Sequence, residues 1–282
     1  MKKSNLAVRL LTAFVLLPVV LWLIWQGGLY LAVLLAIAAA GCAFELNLLP
    51  LHLPPQKSEL QEIEADSAVL SGSAILSMAA AFVLALLPEV RWFPIELVLS
   101  VLIIAVFADT LVFEDRVDRA PRRVGLAILG ALYPGLLISA LVPLRQLQHG
   151  FWWVFLALTV TWANDTGAYF AGRALGRHKL YPRISPSKTW EGAAGGTLAS
   201  ILGACIVQHF ALPAITWQTA ALIGAGAAVL GPLGDLSESM LKRAFGAKDS
   251  GRLLPGHGGL LDRIDALLFN APFVLLCAKL VL

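Results

Sequence analysis

Apolar runs of membrane-spanning length follow one another along almost the whole chain, interrupted by short polar connectors. A helix needs about 20 largely apolar residues to cross a bilayer. Windows of that size pick out nine stretches: Leu10–Trp25, Leu29–Leu49, Ala68–Leu87, Phe93–Phe113, Val124–Val142, Phe151–Ala171, Ala193–Ala211, Thr216–Leu236 and Ala266–Leu282. The first and the seventh run a little short. The pattern predicts an all-α fold, a polytopic transmembrane helical bundle forming a single integral membrane domain over residues 1–282. Residues 1–150 make an N-terminal helical bundle, and the polar motifs gather in 151–282.

Composition supports the same class. Charged residues are 14% of the chain and mean hydropathy is +0.79, whereas soluble domains carry about 25% charge. Lys2, Lys3 and Arg9 ahead of the first stretch resemble a signal peptide, and Ala39–Cys42 resembles a lipoprotein cleavage site. A second apolar stretch begins directly after Gln26-Gly27-Gly28, and Cys42 lies inside it, which argues against both. Cys42, Cys205 and Cys277 are isolated in apolar segments and read as buried structural thiols.

The connectors orient the bundle. With the N-terminus in the cytoplasm, all of the 21 lysines and arginines except Arg91, Arg145 and Lys279 fall on the cytoplasmic side. That asymmetry is what the positive-inside rule demands, and it sends the C-terminus to the far side. Trp92, Trp152, Trp153 and Trp217 then fall at far-side span ends and read as interfacial anchors. Gly192, Gly196, Ser200 and Ala204 recur at every fourth position and predict a close helix–helix contact. Leu51–Ser67 is a polar connector whose acids Glu59, Glu62, Glu64 and Asp66 face solvent.

Four acids lie inside or at the edges of spans: Glu45, Asp109, Asp165 and Asp235. Ionisable groups there are costly and usually functional. At 1.5 Å per residue each lies roughly 21–29 Å from its far-side end, in the cytoplasmic third of a core about 30 Å thick. A transporter normally sets its polar site near the midplane; these depths suit a cavity open to the cytoplasm. Glu45 and Asp109 read as interfacial. Thr161, Asp165 and Tyr169 share a helix face with Asn164 beside it. Asp235 follows Gly231-Pro232-Leu233-Gly234, which predicts a helix break that frees backbone groups near the acid, with Glu238 one turn on.

Three polar blocks carry the chemistry: Asn164–Arg173, Ile184–Gly196 and Gly234–Asp265. In the second, Ser185 or Ser187 is placed to cap the following helix, with Glu191 supporting its first turn. Lys188 stands where a helix N-terminus favours an anion. The third block mixes Lys242, Arg243, Lys248, Arg252 and Arg263 with Asp249, Asp262 and Asp265. Gly256, Gly258 and Gly259 let backbone approach a ligand there. Cations beside carboxylates and open backbone suit a metal–phosphate site.

Ser239-x-Leu241-Lys242-Arg243-x4-Lys248-Asp249, followed by Pro255-x-His257-Gly258-Gly259 and Asp262-Arg263-Ile264-Asp265, resembles the signature of the phosphatidate cytidylyltransferase, or CDP-diacylglycerol synthase, family. Asn164-Asp165-x-x-Ala168-Tyr169 and Ser185-Pro186-x-Lys188-Thr189-Trp190-Glu191-Gly192 resemble the family's upstream motifs. The likeness covers Ala163 to the C-terminus and makes 151–282 the catalytic half. It departs at Ser187, where lysine is expected in many relatives, which leaves Lys188 as the cation there.

The resemblance implies that CTP and phosphatidic acid give CDP-diacylglycerol and pyrophosphate with Mg2+, a second cation, divalent or K+, being left open. It implies Asp235 and Asp262 as metal ligands, with Asp249, Asp265 and Lys248 also in the catalytic set. It implies substrate contacts from Asn164, Asp165, Ser185, Lys188, Lys242, Arg243, His257, Gly258, Gly259 and Arg263. The expected partners are CTP, phosphatidic acid and membrane lipids, with no nucleic acid and a homodimer left open. The expected location is the cell inner membrane, multi-pass, with the active site facing the cytoplasm. A CDP-alcohol phosphotransferase is a rival, but its D-G-x-x-A-R and G-x-x-x-D-x-x-x-D pattern is absent. A transporter of an anionic substrate is a second, and the charge placement and lack of an inverted repeat count against it.

Overall fold

The structure, a computed structural model, describes residues 14, 16–52, 72–251, 253 and 258–282. Within them each apolar window falls on a helix. The first window is described only from Leu16–Gln26, helix α1. Then come α2 (Gly28–Leu48), α3 (Gly72–Val90), α4 (Ile95–Phe113), α5 (Ala120–Ser139), the short α6 (Leu141–Gln146) and α7 (Gly150–Leu175). Strands β1 (Lys179–Tyr181) and β2 (Ser185–Thr189) pair antiparallel. Helices α8 (Trp190–Ala211), α9 (Trp217–Ala244) and α10 (Leu261–Val281) complete the order. The protein is an all-α polytopic membrane protein, with a small ribbon that the apolar pattern had not predicted. Among the described residues seven spans are long and apolar enough to cross a membrane, α5 and α6 counting as one. The other windows are α1 and α7, and the second half of α7 carries Asn164, Asp165 and Arg173.

The chain divides into two compact units, Met1–Val142 with Lys242–Arg263, and Pro143–Leu241 with Ile264–Leu282. In the first, α3 packs on α2, α4 and α5. Its core is rich in alanine: Ala32, Ala36, Ala39 and Ala43 of α2, Ala81 and Ala85 of α3, and Ala127 and Ala131 of α5 are buried. Small side chains let helix backbones approach closely. A Cβ at Gly135 would lie 2.8 Å from the Ala81 backbone, so glycine sets that contact. Asn47 spans the same region, donating to Ala43 O (2.8 Å) and Ser77 Oγ (3.1 Å). Asp109 is buried among the helices of this unit. The Arg123 guanidinium donates to Asp109 Oδ2 at 2.8 Å and to Ser73 Oγ at 3.0 Å, with Glu114 at 3.6 Å.

In the second unit α7 packs on α8. The small-residue stripe makes this contact, as expected: a Cβ at Gly196 would lie 2.6 Å from Asn164 Oδ1, and one at Gly192 3.0 Å from Ala168 O. Ser200 turns to α9, donating to Gly224 O at 2.8 Å. The predicted break at Gly231–Gly234 does not occur, and α9 runs through Pro232 without interruption. The glycines there serve packing on α10. A Cβ at Gly231 would lie 2.9 Å from Asn270 Nδ2, and one at Gly234 2.5 Å from Asp265 O. Asn270 also donates to Thr161 Oγ1 at 2.9 Å, tying α10 to α7.

Other expectations are corrected. Trp153 is 1% exposed and belongs to the core, whereas Trp92 and Trp217 are exposed as anchors should be. Cys42 is buried, but Cys205 and Cys277 are only partly so. The acids of the 51–67 connector lie outside the described residues.

Candidate active site

Each unit holds a cluster built from the motif residues. In the second unit β2 presents Lys188 to the second half of α9, where Lys188 Nζ meets Asp235 Oδ2 at 2.6 Å. Ser239, one turn along α9, donates to Asp235 Oδ1 at 3.3 Å. Asp165 of α7 is exposed and interacts through space with both, repelled by Asp235 and attracted by Lys188. The pair is part-exposed, at 22% for the lysine and 34% for the aspartate side chain. It therefore keeps access to a ligand. The three polar blocks thus each contribute one charged group here.

The ribbon that delivers Lys188 has its own local logic. Thr189, not Ser185 or Ser187, caps α8: its Oγ1 accepts from Gly192 N at 3.1 Å. Ser185 and Ser187 sit on β2, facing partly or wholly outward. Glu191 lies in the first turn of α8, as expected, and also reaches back to the start of the ribbon, accepting from the backbone N–H groups of Arg177 and His178 and meeting His178 Nδ1 at 2.6 Å. Lys188 is thereby fixed beside a carboxylate rather than left waiting for an anion. Asn164 is 2% exposed and turned into the bundle, its Oδ1 beside Gly196, so it stands behind the cluster.

In the first unit Lys242 and Asp262 form a second pair, Nζ to Oδ1 at 2.5 Å, each side chain 10% exposed. Asp262 Oδ2 accepts from Ser250 N and Gly259 N, both at 3.0 Å. Asp262 therefore closes the connector between α9 and α10 onto the first turn of α10. Gly258 adopts φ +85°, a conformation that favours glycine. Arg243 is exposed, with Nη1 donating to Ala247 O at 2.7 Å. Lys248, Asp249 and Arg263 are also exposed. Asp265 is half-buried and accepts from Ala266 N at 2.8 Å. His257 lies outside the described residues.

Glu45, an acid inside an apolar span, belongs to the first unit as well. It is fully buried, and its carboxylate accepts from Ser250 Oγ, Leu260 N and Leu261 N, each at 2.9 Å. The only sequence signal was an acid in an apolar span, because its partners lie more than 200 residues away in the chain.

Among the described residues no three His, Cys, Asp or Glu side chains are grouped to hold a metal. Mg2+ does not require such a cage, since it is commonly held by one or two carboxylates together with substrate phosphates and water. The hard oxygens of Asp235, part-exposed and with Asp165 in electrostatic reach, fit that mode. A cation at either acid would displace its lysine, and Asp262 fits less readily because it is more buried and also accepts from Ser250 N and Gly259 N.

A family model described as the cytidylyltransferase family matches residues 7–281. The chain is 35% identical to the phosphatidate cytidylyltransferase of Brucella suis over 275 residues, 97% of this chain and 93% of that one. It is 41% identical over 187 residues to that of Bacillus subtilis, 66% of either chain. The Haemophilus influenzae phosphatidate cytidylyltransferase is 46% identical over 129 residues, 44% of this chain and 45% of its own.

Proposed function

The chain belongs to the cytidylyltransferase family, and from that premise we propose that it transfers the cytidylyl group of CTP to phosphatidic acid. A phosphate oxygen of the lipid attacks the α-phosphorus of CTP. The bond from that phosphorus to the bridging oxygen breaks, pyrophosphate leaves, and CDP-diacylglycerol remains in the membrane. The lipid phosphate is already ionised near neutral pH, so the reaction needs no strong general base. Its barrier is bringing one polyanion against another, which positioning and charge neutralisation lower.

The observation that carries this reading is the pair of lysine–aspartate contacts, Lys188 with Asp235 and Lys242 with Asp262. The two acids that the resemblance implies as metal ligands each stand against a lysine, and charges so arranged are already oriented before substrate arrives. Lys188 and Lys242 would exchange carboxylate for phosphate oxygen. Arg243, Lys248 and Arg263, exposed on the same connector and helix, would meet the remaining phosphate charge. Mg2+ held by Asp235, with Asp165 near it, would supply Lewis-acid neutralisation of the phosphates; Asp262 is the second candidate ligand. The gathering of basic residues in alternate connectors supports an active face on the cytoplasmic side of the inner membrane, where CTP is available.

The test is direct. Purified protein in detergent or vesicles is given CTP labelled at the α-phosphorus, phosphatidic acid and Mg2+. Label should enter the chloroform-soluble fraction only when all three are present. A protein that bound or moved phosphatidic acid but left the label water-soluble would sink the reading.

A further inference from the structure

We infer that Glu45 is a positioning residue for this reaction, holding from α2 the backbone that presents Asp262. The inference rests on the cytidylyl-transfer reading for its activity arm and on geometry alone for its structural arm.

Glu45 has no exposed surface, and burying a carboxylate is costly unless it is well supplied with hydrogen bonds. It receives three: Leu260 N donates to Oε1, while Leu261 N and Ser250 Oγ donate to Oε2. Two of these donors are N–H groups at the start of α10, which have no partner within a helix and favour a negative charge. The third belongs to Ser250, whose own N–H donates to Asp262 Oδ2. Ser250 is thus held on two sides, by Glu45 at its hydroxyl and by Asp262 at its amide. Leu260 and Leu261, immediately before Asp262, are held by Glu45 as well.

The surrounding small residues fit the same arrangement. A Cβ at Gly251 would collide with the Glu45 carboxylate, and one at Gly259 with Ser250 Oγ and Glu45 Oε2. A Cβ at Gly41, one turn before Glu45, would press on Leu260 at 3.0 Å. Two glycines of the signature connector are therefore explained by an acid outside the signature. Replacing the carboxylate with an amide keeps the shape but brings an N–H2 group against donors. The start of α10 and the Asp262 rotamer then lose their reference.

The experiment compares wild type, Glu45→Gln, Ser250→Ala and the double variant, purified in detergent. Two readouts are taken: kcat in the labelled-CTP assay and backbone amide exchange along α10. Glu45→Gln should lower kcat at least about tenfold and speed exchange at Leu260 and Leu261 by a similar factor, the size expected for lost hydrogen bonds to a charge. Amides deeper in α10, such as Val274 and Ala278, should keep their protection, which a general loss of fold would not allow. Ser250→Ala should lower kcat about threefold, and the double variant should be no worse than Glu45→Gln, because both act through one network.

If Glu45→Gln keeps kcat within about twofold of wild type, or leaves Leu260 and Leu261 exchange unchanged, the inference is overturned. Should Glu45→Gln not accumulate in membranes, Ser250→Ala decides: wild-type kcat and wild-type exchange in that variant also overturn it. Were the wild type itself to make no lipid product, the failure would belong to the proposed activity, and the exchange arm would still judge Glu45.

Discussion

Lys188 Nζ and Asp235 Oδ2 stand 2.6 Å apart, joining a two-stranded ribbon to α9. Neither partner is fully buried, so the contact is open to substitution by a ligand. A surface ion pair of this kind adds little to stability. Under the proposed function its value is in holding each charge where a phosphate or a cation would need it.

Removing either charge should therefore damage turnover far more than folding. Asp235→Asn should lower kcat at least about 100-fold, the scale seen when a preorganised electrostatic group is lost. Lys188→Met should raise the KM for CTP about tenfold. Thermal melting in detergent should shift by only a degree or two for either variant.

Asp262→Asn should abolish label transfer while the protein still inserts. The amide loses the charge facing Lys242 and sets its N–H2 group either against Lys242 or against the Ser250 and Gly259 N–H groups. Because this pair is more buried than the first, the variant should also melt lower, by about 3 kcal/mol of stability. Assay and melting on the same preparation separate the two effects.

Chelation with EDTA should abolish the activity, and added Mg2+ should restore it. If the fit argued for Asp235 is right, Asp235→Asn should need more Mg2+ for its residual rate than Lys188→Met does. A metal titration of both variants reads this.

Glycine substitutions should sort by contact. Gly259→Ala forces a Cβ into Ser250 and Glu45 and should lose both stability and activity. Gly125→Ala, on α5 with nothing within 4 Å, should be neutral or stabilising by about 0.5–1 kcal/mol, the helix preference of alanine over glycine. Arg123→Met should destabilise by about 3 kcal/mol, leaving Asp109 buried without its guanidinium, and should not alter the KM for CTP. Paired melts and initial rates check all three.

How much of this was legible in the sequence follows from the range of each interaction. Span positions were legible because a helix in lipid must be apolar along its own length, a local property. The Gly192–Gly196 contact was legible because its period is local too. The Gly231–Gly234 segment misled because glycine and proline signal a break locally, while their use here is close approach to Asn270 and Asp265 on another helix. The α8 cap misled by a small register: Thr189 lies four residues after Ser185 in a strand that the apolar pattern did not announce. Trp153 sits at a span end in sequence yet fills the core, because helix faces, not ends, decide burial. The motif acids were found as a set; which lysine each would meet was not written in their spacing.

The Glu45 contacts bear on how the protein can be dissected. The recognisable motifs all follow Ala163, which invites expressing the C-terminal half alone or grafting it onto a foreign bundle. Such a chimera would deprive Leu260 and Leu261 of their acceptor and release Ser250 on one side. The first half is thus more than a membrane anchor, and a working transplant must carry an acid on its second helix to receive them.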